Sequence, residues 1–192
     1  MLTTKQILDA SEEVLRRFGP RKTTVVDVAR MLGVSHGTVY RHFKTKAALH
    51  QAITTRWLES ITLPLAEIAG DNADAKQRLQ QWFKTLMEIK QRNFVDDPEM
   101  FESYLELAKS TPEQVKSKHI NSLLAQVESI LNAGNAAGSF AIEDCSLMAK
   151  TLFFATGRYH HPLHAKEWSD PHIQRDFEHL MALLIRGIES RA

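Results

Sequence analysis

GVSHGTVYRHFKTK, residues 33–46, decides the fold. Gly33 follows a short apolar-periodic helix, and a residue without Cβ closes a helix in the left-handed conformation at no steric cost. Ser35 then caps a second short helix running to His42 or Phe43, in which Val39 and Phe43 form an i, i+4 apolar pair. His36, Thr38, Tyr40 and Arg41 are left to point outward. A helix, a tight glycine turn and a second helix with a polar outer face make a helix-turn-helix, and a major groove about 12 Å wide accepts one such helix. Gly37, with no side chain, lets the start of that helix approach a duplex closely.

Working outward, Thr3 or Thr4 caps a first helix that runs to Phe18, with Ile7, Leu8, Val14, Leu15 and Phe18 as one stripe, and Gly19-Pro20 ends it. Thr24, followed three residues later by Asp27, opens the second helix, whose Val25, Val28, Ala29 and Leu32 face inward. Residues 1–50 hold nine cationic and four anionic side chains, a net of +5, inside a chain whose net charge is only +1. A basic head on an acidic body points to nucleic acid at one end and a separate activity at the other.

The longer stretch TTVVDVARMLGVSHGTVYRHFKTKAAL, residues 23–49, resembles the helix-turn-helix signature of the TetR family of bacterial transcriptional regulators. The matching positions are a Thr, an Ala in the second helix, Gly-Val-Ser, Gly-Thr, a Tyr, an aromatic Phe and a Lys that opens helix four. Ala47 departs from the pattern, which has an acidic residue there. The resemblance implies a sequence-specific repressor that binds double-stranded DNA at a palindromic operator and is released by a small-molecule effector. It implies that Thr24, Tyr40, His42 and Lys46 bind phosphates, while Ser35, His36, Thr38 and Arg41, with Gly37 allowing close approach, lie toward the base edges. Side-chain chemistry agrees: Arg bonds bidentately to guanine, a Thr methyl touches thymine, and Lys and the Tyr hydroxyl suit phosphate.

Beyond residue 50 the pattern is helical throughout, so the expected fold is all-α: a helix-turn-helix head over 1–50, joined by helix four to a helical regulatory and dimerisation domain over 51–192. Helix four begins after Thr45 and breaks or kinks at Pro64. Asn72 caps a fifth helix through about Arg92. Asp97-Pro98-Glu99 and Thr111-Pro112-Glu113 open two more, the second ending near Gly134. Residues 143–161 and 170–191 give the last two helices, the latter capped by Asp170 with Pro171 at its first position.

Those last two helices carry more apolar surface than one face needs. A second copy covers the excess in a two-fold four-helix interface, with Leu147, Phe154, Phe177, Leu180, Leu184 and Ile188 as its candidates. The alternative is that both helices are used up within one subunit's core. The expected effector cavity is lined by Trp82, Phe83, Met87, Phe94, Phe101, Tyr104 and Tyr159, with His119, Arg158, His160 or His161 as polar contacts.

The segment RYHHPLH, residues 158–164, places His160 and His164 on one helical face, at most two ligands of a metal site, so no metal and no cofactor is expected. Ser146 or Cys145 with His160 stands in no catalytic motif, so the chain reads as a non-enzyme. One cysteine excludes an internal disulfide, and Cys145 is expected simply to pack. No run of eighteen apolar residues and no leader in MLTTKQILDA point to a cytoplasmic protein without a membrane partner. The alternative to DNA binding is a helical protein-interaction adaptor with an incidental basic head.

Overall fold

In the computed structural model, which describes residues 2–190, ten α-helices follow one another: α1 Thr4–Phe18, α2 Val25–Met31, α3 His36–Tyr40, α4 Lys46–Ala69, α5 Ala75–Asp96, α6 Pro98–Ser110, α7 Glu113–Ala136, α8 Cys145–Ala155, α9 Gly157–His160 and α10 Ile173–Ile188. Short 3₁₀ segments lie at Pro20–Lys22 and Pro162–Glu167. The only pairing of extended backbone among the described residues is an isolated antiparallel bridge between Phe140 and Glu189. The chain divides into two compact units, Met1–Ser60 with Asp96–Lys118 and Ile61–Val95 with His119–Ala192. The first unit therefore runs past the expected boundary at residue 50 and takes in α6.

Local chemistry explains how α1 and α2 start. Thr3 caps α1 in a capping box with Gln6, and Thr24 caps α2 by accepting from the Asp27 N–H. Gly33 closes the turn after α2 at φ +64°, the left-handed conformation expected of it. Ile7, Val14 and Leu15 of α1, Val25, Val28 and Ala29 of α2, and Val39 and Phe43 form the core of the head, joined by Leu49, Ile53 and Trp57 along α4. Phe18, expected in that core, is 54% exposed. It is the last residue of its helix, and Gly19 turns the chain away before anything covers it.

Ion pairs tie α1 to two other helices of this unit. Arg56 on α4 reaches Asp9 at 2.5 Å and Glu12 at 3.3 Å, and Arg16 pairs with Asp97. Asp97 has a second task as the cap of α6, accepting from the Met100 N–H at 3.1 Å. Tyr104 of α6 stacks on Trp57 with ring centroids 4.7 Å apart and planes 4° from parallel. The two tasks of Asp97 separate by substitution. Asp97→Asn keeps a capping acceptor and removes the charge, whereas Asp97→Ala removes both, so the Ala variant is expected to unfold in urea at about 1 kcal/mol less stability than the Asn variant.

In the second unit, Ile61, Leu65 and Ala69 of α4 and Leu79, Trp82, Phe83, Leu86 and Met87 of α5 are buried, with Leu123, Val127, Ile130 and Leu131 of α7 and Ile173, Phe177, Met181, Ile185 and Ile188 of α10. Several expectations differ from this structure. Pro64 lies inside an unbroken α4: it costs one backbone bond, and Ile61 and Leu65 on either side are fully buried. Asp74, not Asn72, caps α5, accepting from the N–H groups of Lys76 at 2.9 Å and Gln77 at 3.2 Å. The helix expected over 143–161 breaks at Thr156, whose hydroxyl donates to the Leu152 and Phe153 carbonyls. Asp170 caps a turn through the His172 N–H at 2.8 Å, and α10 begins only at Ile173.

Candidate nucleic-acid interface

Three short elements build the outer face of the head. The turn after α2 places α3 so that Val39 is fully buried, while Ser35, His36, Gly37, Tyr40, Arg41 and His42 are exposed and Thr38 is half-buried. This alternation follows from α3 being little more than one turn long: one apolar anchor fixes the helix, and the other positions project. Ser35, expected as the cap, holds no side-chain bond to the helix start. Its hydroxyl pairs with Thr38 Oγ1 at 3.0 Å, and its carbonyl accepts from the Thr38 N–H. The His36 and Tyr40 rings meet edge to face, 6.3 Å between centroids.

Three of the four positions assigned to phosphates are held by a hydrogen bond to a neighbour. Thr24 Oγ1 donates to Asp27 Oδ2 at 2.5 Å, so its hydroxyl proton is committed to the cap of α2. His42 Nδ1 pairs with Thr4 Oγ1 at 3.3 Å, tying the turn just after α3 to the start of α1. Lys46 Nζ donates to the Arg21 carbonyl at 2.7 Å, and its ammonium retains two further protons for an anion. Arg21, Lys22, Lys44 and Lys46 are all exposed.

The residues expected to line an effector cavity are divided between the two units. Trp82, Phe83 and Met87 are fully buried on α5 in the second unit, whereas Phe101 and Tyr104 belong to α6 in the first. Tyr159 is buried against Phe177, and Phe94 meets Trp168 edge to face. Arg158 lies at the surface with Glu167 at 2.8 Å and Asp176 at 3.9 Å. His160 and His164 share no helical face, because α9 ends at His160 and His164 lies in the following 3₁₀ segment, bonded to Glu167 at 2.6 Å. No group of three or more His, Cys, Asp or Glu among the described residues is placed to hold a metal ion.

The second unit has a polar interior that sequence reasoning missed in part. Lys90 is buried on α5, and burial lowers its ammonium to about 8. Its position was readable, since 83, 87 and 90 continue the apolar spacing of that helix. Trp82 Nε1 donates to Gln126, and Gln126 Nε2 donates to the Thr62 carbonyl at 3.2 Å. His119 pairs with Thr62 Oγ1 at 3.0 Å, and burial, then the charge of Lys90, hold it down at about 4. His160 Nε2 donates to the Phe153 carbonyl, and burial, then Lys90, hold it at about 3.

Both rings are thus neutral in the fold but take up protons near pH 6.5 once unfolded. Their contribution to stability is complete above that pH and is lost as pH falls toward 4 and then 3. Thermal melts between pH 7 and pH 5 are expected to show falling stability, and His160→Gln is expected to flatten the trend. A slope unchanged by that substitution contradicts the assignment.

A basic head whose short second helix exposes hydrogen-bonding side chains on one buried anchor defines a helix-turn-helix DNA-binding regulator. Residues 7–53 match the family model for bacterial regulatory proteins of the tetR family, and residues 75–181 match the tetracyclin repressor-like C-terminal domain. The chain belongs to the TetR family. It is similar to the uncharacterized HTH-type transcriptional regulator YvkB of Bacillus subtilis, 27% identical over 98% of both chains. Its fold matches that of SmeT, the repressor of the Stenotrophomonas maltophilia multidrug efflux pump SmeDEF, with a TM-score of 0.71 at 20% identity, covering 100% of this chain and 93% of that one. It also matches the transcriptional regulator FadR of Bacillus subtilis in complex with stearoyl-CoA, with a TM-score of 0.66 at 21% identity over 97% and 100% of the two chains. No helix among the described residues is long and apolar enough to cross a membrane.

Proposed function

We propose that this regulator is a repressor that binds a palindromic operator as a homodimer and leaves it when a small molecule binds the second unit. The observation that carries the DNA reading is the exposed set His36, Tyr40 and Arg41 around the buried anchor Val39. Arg41, Thr38, Ser35 and His36 read bases, and Tyr40, His42, Lys46 and the Thr24 end of α2 meet phosphates. SmeT is a repressor and FadR binds stearoyl-CoA, which supports an effector-released repressor here.

The homodimer reading rests on apolar side chains left outside the fold. Leu147 and Phe154, seven residues apart on α8, are 61% and 71% exposed, and Leu183 on α10 is 63% exposed. Leu180 and Leu184 are half-buried. Phe177 and Ile188 turn into the subunit's own core, leaving little surface for a partner, so Leu183 takes their place in the proposed interface. Two heads related by a two-fold axis meet half-sites about one helical turn apart.

Footprinting on the DNA upstream of the coding sequence tests this. Protection of an inverted repeat, lost in Phe154→Glu along with the dimer, is the expected result. Protection of a single half-site by a monomer would contradict the homodimer.

A further inference from the structure

Two side chains of α4 reach back to the turn between α1 and α2. Lys46 holds the Arg21 carbonyl, and one turn further along the helix His50 Nε2 lies 2.7 Å from the Thr23 carbonyl. A carbonyl only accepts, so the ring nitrogen carries the proton and donates it. Thr23 is itself fully buried, and its hydroxyl donates to the Gly19 carbonyl at 2.9 Å. The turn over residues 19–23 is therefore fastened from inside by Thr23 and from α4 by His50. The next residue is Thr24, which caps α2, and α3 follows α2 through the Gly33 turn. The exposed cations Arg21 and Lys22 lie on the same fastened segment.

His50 is half-buried and borders a cleft of about 390 Å³ lined also by Gln51, Ser110 and Pro112. Without the ring, the Thr23 carbonyl loses the bond from α4, so the turn loses its fixed geometry at modest cost to the core. A single bond between a side chain and a backbone carbonyl is enough to decide whether a short turn is ordered but not whether the chain folds.

We propose that His50 is a positioning residue for DNA binding, holding the turn that carries Arg21, Lys22 and Thr24 in the geometry that meets phosphates. The inference rests on reading this face as the DNA surface.

The test uses the full chain and two substitutions, His50→Gln and His50→Asn. The Gln amide reaches the Thr23 carbonyl, whereas Asn is one methylene too short. Affinity for a labelled duplex from the protein's own upstream DNA is measured over a range of salt concentrations, beside a scrambled duplex and a thermal melt. His50→Gln is expected to bind as the unsubstituted chain does. His50→Asn is expected to bind about tenfold more weakly, with the dependence of log affinity on log salt shallower by about one per head and with helical content at the assay temperature unchanged. Equal affinity and slope for His50→Asn, an equal loss in both variants, or a His50→Asn chain unfolded at the assay temperature would each overturn the inference. An unsubstituted chain that binds neither duplex in a salt-dependent way would bring down the DNA reading itself, a result distinguishable from the others.

Discussion

Gly134→Ala is expected to lower the melting temperature by about 6 °C, the reverse of what the same change does in most helices. In an open helix interior, Ala in place of Gly stabilises by about 1 kcal/mol. Here a Cβ on Gly134 would overlap Cδ2 and Cε2 of Phe140, far inside contact distance. The ring has little room to retreat, because it is buried and its backbone is strapped on several sides. The Phe140 N–H donates to the Gly134 carbonyl at 3.3 Å, the Ala141 N–H to the Ile188 carbonyl at 2.9 Å, and Asn135 Nδ2 to the Ile142 carbonyl at 2.6 Å.

Overpacking of this kind costs about 3 kcal/mol, which leaves a net loss of about 2 kcal/mol after the gain in helix propensity, and at about 2–4 °C per kcal/mol in a chain of this size the expected shift follows. Phe140→Ala alone removes a buried ring and also destabilises. Combined with Gly134→Ala it relieves the overlap, so the double variant is expected to lose less than the two single losses together. A Gly134→Ala chain that melts at or above the unsubstituted temperature would show that the ring is free to move.

Arg41→Ala is expected to abolish discrimination at one base pair in each half-site, a loss of about 1–3 kcal/mol per half-site, while leaving binding to a scrambled duplex little changed. Arg41 is exposed at the end of α3, and a guanidinium carries paired donors that match the guanine edge. Tyr40→Ala is expected to do the opposite, weakening all duplexes alike, because a hydroxyl on a phosphate carries no sequence information. A panel of duplexes varied one base pair at a time separates the two. Unaltered base preference in Arg41→Ala would assign base reading to Ser35, His36 and Thr38 alone.

The head was legible because its rules are local. Thr24 with Asp27, Gly33 after a two-turn helix, and the Val39 and Phe43 pair each act over three or four residues, and each stands where local chemistry puts it. What escaped reading was set by tertiary packing. Pro64 stays inside α4 because buried neighbours outweigh one lost backbone bond, and Phe18 is exposed because no later element returns to cover it.

On α10, residues 177, 180, 183, 184 and 188 are all apolar, and only the packing of the helix shows that Phe177 and Ile188 face inward while Leu183 faces out. Lys90 was hidden by its type: a lysine at a stripe position reads as surface until the helix around it is seen to be enclosed. His50 had no motif at all, since its role depends on a carbonyl 27 residues earlier in the chain.

The central claim is that the head reads a specific duplex, and one titration tests it most directly. Fluorescence anisotropy of a labelled duplex covering the DNA upstream of the coding sequence is followed with the purified chain at two salt concentrations, with a scrambled duplex as control. An exposed reading helix on a basic head predicts tighter binding to the native duplex and a steep loss of affinity with salt for both. Binding to neither duplex at either salt concentration would contradict DNA recognition and favour a protein-interaction adaptor instead.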